Sequence, residues 1–186
     1  MFRQSVQKIL LILFFWGSIA SAQASETAET TVESVSEGAL DAVQTHGSSY
    51  SSNPSALKSA LSSLLQPVVD FDSIARGIMG SHYDSATQQQ RAAFSKEFKV
   101  TLVDLYADTL IRFEITDIKV RDSASSSPDR ATVNTIVTTR GDGSYLVQYS
   151  MRKDENGNWK ARNMILDGVN IGLTYRSQFD SAVRSR

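Results

Sequence analysis

The sequence predicts an α+β domain in which N-terminal helices and a C-terminal helix pack on one face of a curved, roughly four-stranded antiparallel meander. Two changes of pattern support this class. Apolar residues recur at helical spacing up to about residue 112, then alternate at every second position up to residue 166, and helical spacing returns in the last part of the chain. Short strands joined by tight turns pair with their sequence neighbours, which predicts a meander.

The first residues have the layout of a secretory signal peptide. Arg3 and Lys8 precede an apolar run over residues 9–20, and small residues follow, with cleavage expected after Ala22 or Ala24. The run is shorter than the roughly 20 residues that a membrane-spanning helix needs. We therefore expect cleavage and a chain that is not membrane-spanning, an uncleaved anchor being the alternative.

With residues 1–24 assigned to the signal peptide, residues 25–186 are expected to form a single exported domain. The whole chain has 19 basic and 20 acidic residues, and loss of the basic start makes the remainder more acidic, which argues against nucleic acid as a partner. The chain has no cysteine, so disulfides and thiol catalysis are excluded. The domain must be stabilised by packing alone.

Two helices are predicted before residue 70. A weak apolar stripe supports the first, from about residue 30 to 45, and a strong stripe of leucines supports the second. The second helix begins at Pro54, because proline is favoured at the first helical position, and Asn53 is expected to cap it. Pro67 predicts a bend or break near its end.

The stretch DFDSIARGIMGSHYD, residues 70–84, predicts a short amphipathic helix. It is expected to start at Asp70 or Asp72, whose carboxylate can accept from free amides of the first turn, and to stop near Gly80. One face carries the apolar residues Phe71, Ile74, Ala75, Ile78 and Met79.

A long helix follows, ending at about Arg112. A capping box formed by Ser85 with Gln88, or by Thr87 with Gln90, predicts its start. Its apolar side carries Phe94, Phe98, Leu102, Leu105 and Tyr106.

Four strands are predicted after residue 113. The last covers residues 158–166, residues 123–129 are expected to form a loop, and hairpin turns are expected at Asp142-Gly143 and Asn156-Gly157. A closing helix is predicted from Tyr175, Phe179, Ala182 and Val183, with Arg184 and Arg186 near its negative C-terminal end.

Groups suited to catalysis or metal binding are few. The two histidines are distant, so a Ser-His-Asp arrangement is possible only with His82, and no thiol is available as a ligand. The carboxylates of Asp70 and Asp72 are explained more simply as helix caps than as acids in a pocket. The sequence therefore predicts no catalytic residue, no metal and no cofactor.

Two stretches resemble the MlaC family, which is also called the toluene-tolerance auxiliary family. The first is residues 68–110, with an F-D-x-x-x-I/L-A-R segment, a glycine, a Q-R pair and a long helix with L-x-x-x-Y-A-x-x-L. It matches at Phe71, Asp72, Ala75, Arg76, Gly80, Gln90, Arg91, Phe94, Phe98, Leu102, Tyr106 and Leu110. The second is residues 159–179, which matches at Trp159, Asp167, Gly168, Val169, Tyr175, Arg176, Gln178 and Phe179.

The resemblance covers about residues 30–184 and departs from the family pattern at a few polar positions. Asn163 stands where many relatives have Asp, Asn170 stands where Ser is usual, and His82-Tyr83 replaces a common aromatic-led pair. These departures concern polar contacts at the mouth of a pocket more than the fold.

The resemblance implies a non-catalytic periplasmic phospholipid carrier. Family members hold acyl chains in an apolar pocket between sheet and helices and leave the head group at the surface. The implied partners are a phospholipid ligand, an inner-membrane ABC transporter complex and an outer-membrane lipoprotein-porin complex. The expected lining, with strand positions chosen by alternation, is Phe71, Ile74, Ala75, Ile78, Met79, Phe98, Leu102, Tyr106, Val133, Val147, Tyr149, Met151 and Ile165.

Two alternatives use the same apolar residues differently. One is a small-molecule enzyme with a cone-shaped helix-and-sheet pocket and an acid or His inside it. The other is a periplasmic adaptor that binds no lipid and has a solid core. Sequence cannot separate a core from a cavity, because both are lined by apolar and aromatic side chains.

Overall fold

The computed structural model describes residues 26–141 and 143–185. The predicted signal peptide, Asp142 of the first predicted hairpin turn and Arg186 lie outside these residues. The elements are α1 (Ala28–His46), α2 (Pro54–Leu65), α3 (Phe71–Met79), α4 (Gln88–Arg112), β1 (Ile115–Ser127), β2 (Arg130–Thr139), β3 (Ser144–Lys153), β4 (Trp159–Leu166), β5 (Val169–Asn170) and α5 (Ile171–Arg184). This order confirms the predicted α+β class. None of the helices in the described part of the chain is long and apolar enough to cross a membrane.

The sheet is an antiparallel meander in the order β1-β2-β3-β4-β5. The fifth strand, only two residues long, adds to the four that were predicted. It forms because Asp167 and Gly168 both have positive φ, 45° and 83°, which turns the chain back along β4. The predicted Asn156-Gly157 turn is confirmed, with Gly157 at φ 84° and its N–H donating to Asp154 O at 3.0 Å.

The predicted loop at residues 123–129 is wrong over most of its length. Strand β1 continues to Ser127, with Ser123 opposite Val133 and Ser125 opposite Ala131. Ser123, Ser125 and Ser126 are exposed, so their polarity indicates an edge strand that faces solvent rather than a loop. Only Pro128 and Asp129 connect β1 to β2.

The observed helix caps show which of the predicted helix starts are present. Thr87 and Gln90 form the capping box of α4, and the Asp70 carboxylate accepts from Ser73 N–H at 3.0 Å at the start of α3. Asn53 precedes α2 as predicted, but its side chain does not cap the helix. It accepts a hydrogen bond from Ser55 Oγ at 2.6 Å instead.

Two clusters of buried residues hold the helices to the sheet. The larger joins α1, α2, the first residue of α3, α4 and β1, with Leu57, Leu61 and Leu110 fully buried. The smaller joins the start of α1 to the sheet around Val133 and Trp159. Helix α5 lies against α3 and β4, and none of its described side chains is fully buried.

Candidate functional site

An apolar cavity of about 160 Å³ is lined by members of both buried clusters, among them Leu65 of the larger and Met151 of the smaller. Helices α1, α3, α4 and α5, the end of α2 with the residues after it, and strands β3 and β4 surround it. Its lining, taken from the described residues, contains no Asp, Glu, His, Lys or Arg side chain. The cavity is therefore suited to apolar ligand groups and offers no ionisable acid or base that titrates near neutral pH.

Seven of the predicted residues line this cavity. Ile74 and Ile78 come from α3, three residues come from successive turns of α4, and two come from β3. The full set is Ile74, Ile78, Phe98, Leu102, Tyr106, Tyr149 and Met151.

The other residues predicted on α3 lie beside the cavity rather than at its surface. Ile74 and Ile78 form one row along the helix, and Phe71, Ala75 and Met79 form the adjacent row, offset by about 60–100° around the axis. Phe71 packs into the larger buried cluster, and Ala75 and Met79 are buried as well. The sequence could not distinguish these rows, because both are apolar.

Three predicted strand residues are also away from the cavity. Val133 is fully buried in the smaller cluster and Val147 is buried. Ile165 is placed on the wrong face by simple alternation, because β4 contains a bulge at Arg162. Ser150 pairs with Asn163 and Met151 with Ala161, so Met164, opposite Tyr149, lines the cavity in place of Ile165.

Several lining residues were missed by the sequence analysis. They come from α1, the end of α2 and the chain after it, β4 and α5, and they are Thr31, Val32, Val35, Ser36, Leu65, Val68, Val69, Ala161, Asn163, Met164, Ile171, Gly172 and Tyr175. The weak stripe of α1 and the aromatic stripe of α5 were the available signals. Neither showed which element the stripe would face.

Aromatic contacts connect α4 to α5 beside the cavity. Phe98 meets Tyr175 edge to face with ring centroids 6.0 Å apart, and Phe94 meets Phe179 in the same way at 4.9 Å. Edge-to-face pairs of this kind add about 0.5–1.5 kcal/mol each beyond area burial. They hold α5 in place although it contributes no fully buried side chain.

Tyr106 of α4 and Tyr149 of β3 each bring a phenol to the cavity lining. Burial raises the pKa of both, and the nearby Tyr149 adds to the effect on Tyr106. Both phenols are therefore neutral at ordinary pH and can act only as hydrogen-bonding groups. Groups of three or more potential metal ligands do not occur among the residues that the structure describes.

His82, the residue that sequence left open as a base, lies outside the cavity. Its Nε2 is 2.8 Å from Asp180 Oδ1, and Arg184 Nη2 lies 2.9 Å from the other oxygen of that carboxylate. The hydrogen bond with His82 is the main cause that lowers the pKa of Asp180. This group connects the end of α3 to α5.

The start of α3 is tied to β4 at the rim of the cavity. Asp70 N–H donates to Ala161 O at 3.0 Å, and Ala161 N–H donates to Val68 O at 2.8 Å. The bulge residue Arg162 places Nη2 at 2.8 Å from Asp70 Oδ2. The N-terminal end of α3 is thus fixed to the sheet, whereas its other end stops at Gly80, with φ 53°.

Asn163 and Asn170, two of the departures from the family pattern, contact each other at this rim. Asn163 Nδ2 donates to Asn170 Oδ1 at 3.1 Å, and Asn163 Oδ1 accepts from Gly172 N–H at 3.1 Å. The pair therefore fixes the start of α5 at this rim.

Comparison with known proteins identifies related chains. The toluene tolerance protein ttg2D of Pseudomonas putida is 36% identical over 122 residues, which are 65% of this chain and 56% of that protein. The intermembrane phospholipid transport system binding protein MlaC of Haemophilus influenzae is 27% identical over 111 residues, 58% of this chain and 51% of that protein. The chain spans about half the length of the curated relatives it matches.

A solved structure shows the same fold. The phospholipid-binding protein from Ralstonia solanacearum, in complex with a phospholipid, superposes with a TM-score of 0.77 at 22% identity. The match covers 87% of this chain and 89% of that chain. The sequence model described as MlaC protein matches residues 33–186, most of the chain, and the chain therefore belongs to the MlaC family.

Proposed function

We propose that this chain is a periplasmic phospholipid carrier that shelters acyl chains in the cavity between its sheet and helices. The observation that carries the proposal is an apolar cavity lined by no charged side chain among the described residues, in a fold shared with a protein solved with a phospholipid. Each methylene removed from water contributes about 0.8 kcal/mol, so acyl chains strongly favour such a cavity over solvent.

The size of the cavity adds a condition to the proposal. A volume of about 160 Å³ is below the range of roughly 300–1,000 Å³ that is usual for sites of drug-sized ligands. Acyl chains of a phospholipid therefore require the walls to separate. Helix α3 can supply this movement together with α5, because its first residues are fixed to β4, whereas the chain after Gly80 is joined to α5 through His82 and Asp180.

Twelve of the thirteen residues predicted from sequence are proposed to contribute, and they do so in two ways. The seven at the cavity surface contact acyl chains directly, and five buried residues outside the lining support that surface: Phe71, Ala75, Met79, Val133 and Val147.

The partners follow from the proposed role. A carrier of this kind would exchange lipid between an outer-membrane lipoprotein-porin complex and an inner-membrane ABC transporter complex. The predicted signal peptide and the name of the Haemophilus influenzae relative, an intermembrane phospholipid transport system binding protein, support this assignment.

Lipid extraction tests the proposal directly. The protein is purified without detergent, extracted with organic solvent, and the extract is analysed by mass spectrometry for phospholipid. Ala161→Phe places a ring in the cavity and should reduce the retained lipid severalfold or more, whereas Ala182→Phe makes the same change at an exposed position near the end of α5 and should retain it.

Circular dichroism of both variants checks that the fold is intact. A folded wild-type protein that carries no phospholipid and takes none up from vesicles would contradict the carrier and favour the adaptor. Turnover of an added lipid would favour the enzyme.

A further inference from the structure

The cavity continues outward into a polar groove, which we name the arginine groove. A small hollow shares Ile74, Ile78 and Asn163 with the cavity, and it shares Arg162 and Arg176 with a wider, open hollow of about 560 Å³. The wider hollow is lined by Ser73, Arg76, Gly77, Gly80, Tyr83, Asp84, Arg162 and Arg176, the residues that define the groove. A ligand whose apolar part occupies the cavity therefore has its polar part beside arginines.

Three guanidinium groups from three elements meet in this groove. Arg76 belongs to α3, Arg162 to β4 and Arg176 to α5. The only carboxylate lining the same hollow, among the described residues, is that of Asp84. Asp70 lies beside Arg162, but it also caps α3, so its two oxygens are already occupied. The groove is thus locally basic in a chain that has more acidic than basic residues.

The arginines are positioned by their surroundings. The Arg76 guanidinium lies 5.0 Å from the centre of the Tyr83 ring. Arg176 lies so close to Gly80 that a Cβ there would come within 2.7 Å of its Nε, so the glycine makes room for this guanidinium. Arg162 is fixed by Asp70, and its Nε is buried without a hydrogen-bond partner in the described structure.

Two neighbouring backbone amides already have acceptors and are not available to bind an anion. Helix α5 begins beside the groove, but Gly172 N–H donates to Asn163 Oδ1 and Leu173 N–H donates to Asn170 Oδ1. The positive charge for binding an anion at this position therefore comes from the arginines, the cationic side chains that line the groove among the described residues. Guanidinium groups match the geometry of phosphate oxygens and bind them with charge-assisted hydrogen bonds.

We propose that the arginine groove binds the phosphodiester of the lipid head group, with Arg76, Arg162 and Arg176 as its ligands. This inference rests on the proposed function, because the phosphate reaches the groove only when the acyl chain occupies the cavity. The groove then favours phosphate-bearing lipids over neutral lipids of the same chain length, and it fixes the end of the lipid that remains at the surface.

Two ligands with the same acyl chain distinguish the contribution of the groove to binding from that of the cavity. Lysophosphatidylglycerol and a monoacylglycerol with the same acyl chain differ in the phosphate-bearing part of the head group, and both are titrated against displacement of a fluorescent fatty acid. The wild-type protein should bind the lysophospholipid about tenfold more tightly, as expected for one or two charge-assisted bonds. Inorganic phosphate alone should not displace the probe.

Substitutions identify the groups responsible. Arg176→Gln and, independently, Arg76→Gln should weaken lysophosphatidylglycerol binding about five- to tenfold and leave monoacylglycerol binding unchanged. Arg121→Gln removes an exposed arginine of β1 that does not line the groove and should change neither affinity. The difference between the two ligands should also shrink as salt is added, because exposed ionic contacts are screened.

Each contrary result has a separate meaning. Equal wild-type affinity for the two ligands, or equal loss for both in Arg176→Gln and Arg76→Gln, would overturn the phosphate site while leaving the cavity proposal intact. Binding of neither ligand by the wild-type protein would overturn the proposed function itself. Inorganic phosphate could also remove the difference in affinity between lysophosphatidylglycerol and monoacylglycerol. That result would show a site for free phosphate and overturn the lipid assignment.

Discussion

Helix α4 borders two regions that are packed differently. On one side Val103, Ala107 and Leu110 pack against α1, α2 and β1 in the solid region, the larger buried cluster, where Leu57 and Leu61 are fully buried. On the other side Phe98, Leu102 and Tyr106 face the hollow region around the cavity. Both sides use ordinary apolar and aromatic residues.

The two regions differ in what they contribute: the solid region mainly stabilises the fold, and the hollow region forms the proposed ligand site. The solid region loses contacts whenever a side chain is truncated, because its atoms are close-packed. The hollow region is closed by α3 and α5, which pack against each other, and α3 is fixed to the sheet through the contacts of Asp70 with β4. Elements that must move for a ligand belong to the less stable part of a protein.

The largest expected loss of stability comes from truncating a side chain in the solid region. Leu61→Ala should lower the free energy of unfolding by about 3–5 kcal/mol, the range for a fully buried leucine whose cavity cannot collapse. The matched change Leu102→Ala removes a half-buried side chain that already faces a cavity and should cost about 1–2 kcal/mol. Urea denaturation measures both, and equal losses would contradict the division into two regions.

A smaller effect is expected at the end of α3. Gly80 has φ 53° and ψ −125°, and alanine is strained in that conformation. Gly80→Ala should lower the free energy of unfolding by about 1–3 kcal/mol. Its Cβ also displaces Arg176, so binding of lysophosphatidylglycerol should weaken more than binding of monoacylglycerol. An unchanged unfolding midpoint in denaturant would contradict the strain argument.

Gly77→Ala is the matched change within the same helix, and we expect the opposite sign. A Cβ at Gly77 meets open space, and the residue lies in the helix interior without a positive φ. Alanine should raise the free energy of unfolding by about 0.4–1 kcal/mol, because the unfolded chain loses conformational freedom. Thermal unfolding measures the gain in stability. A loss of stability would show that Gly77 does not occupy an unstrained position inside α3.

The smallest effect concerns pH and the contact between α3 and α5. Hydrogen bonding with His82 and Arg184 lowers the pKa of Asp180. A lowered carboxyl pKa stabilises the folded state above the ordinary value of about 4, and this contribution is lost as pH falls through the folded-state pKa. Asp180→Asn should flatten the acid side of the stability curve slightly. An identical pH profile would show that the contact contributes no measurable stability.

Helix boundaries and turns were largely accessible from sequence because they depend on local chemistry. The Thr87 and Gln90 capping box and the Asn156-Gly157 turn each involve residues close in the chain, and both are present. The serine-rich end of β1 was not accessible, because its strand structure comes from pairing with β2 rather than from its own side chains. Asn53 shows the converse, a favourable residue whose side chain binds Ser55 instead of the helix.

The lining of the cavity depended on contacts that sequence does not contain. Periodicity placed Ile74 and Ile78 on an apolar face together with Phe71, but only packing decided which row meets the cavity. The bulge at Arg162 moved Ile165 away from Tyr149 and brought Met164 to it. The same bulge placed Arg162 beside Asp70, where it forms part of the arginine groove.

The sequence by itself determined the class of the fold, the order of its elements and the resemblance to one family, because these follow from local periodicity and from motifs along the chain. The tertiary structure decided where apolar faces meet closely and where they leave a cavity. The physical reason is that periodicity shows which face of an element is apolar, whereas a cavity is a property of the distance between faces from different elements. That distance is set by register, bulges and the fixed points of the helices.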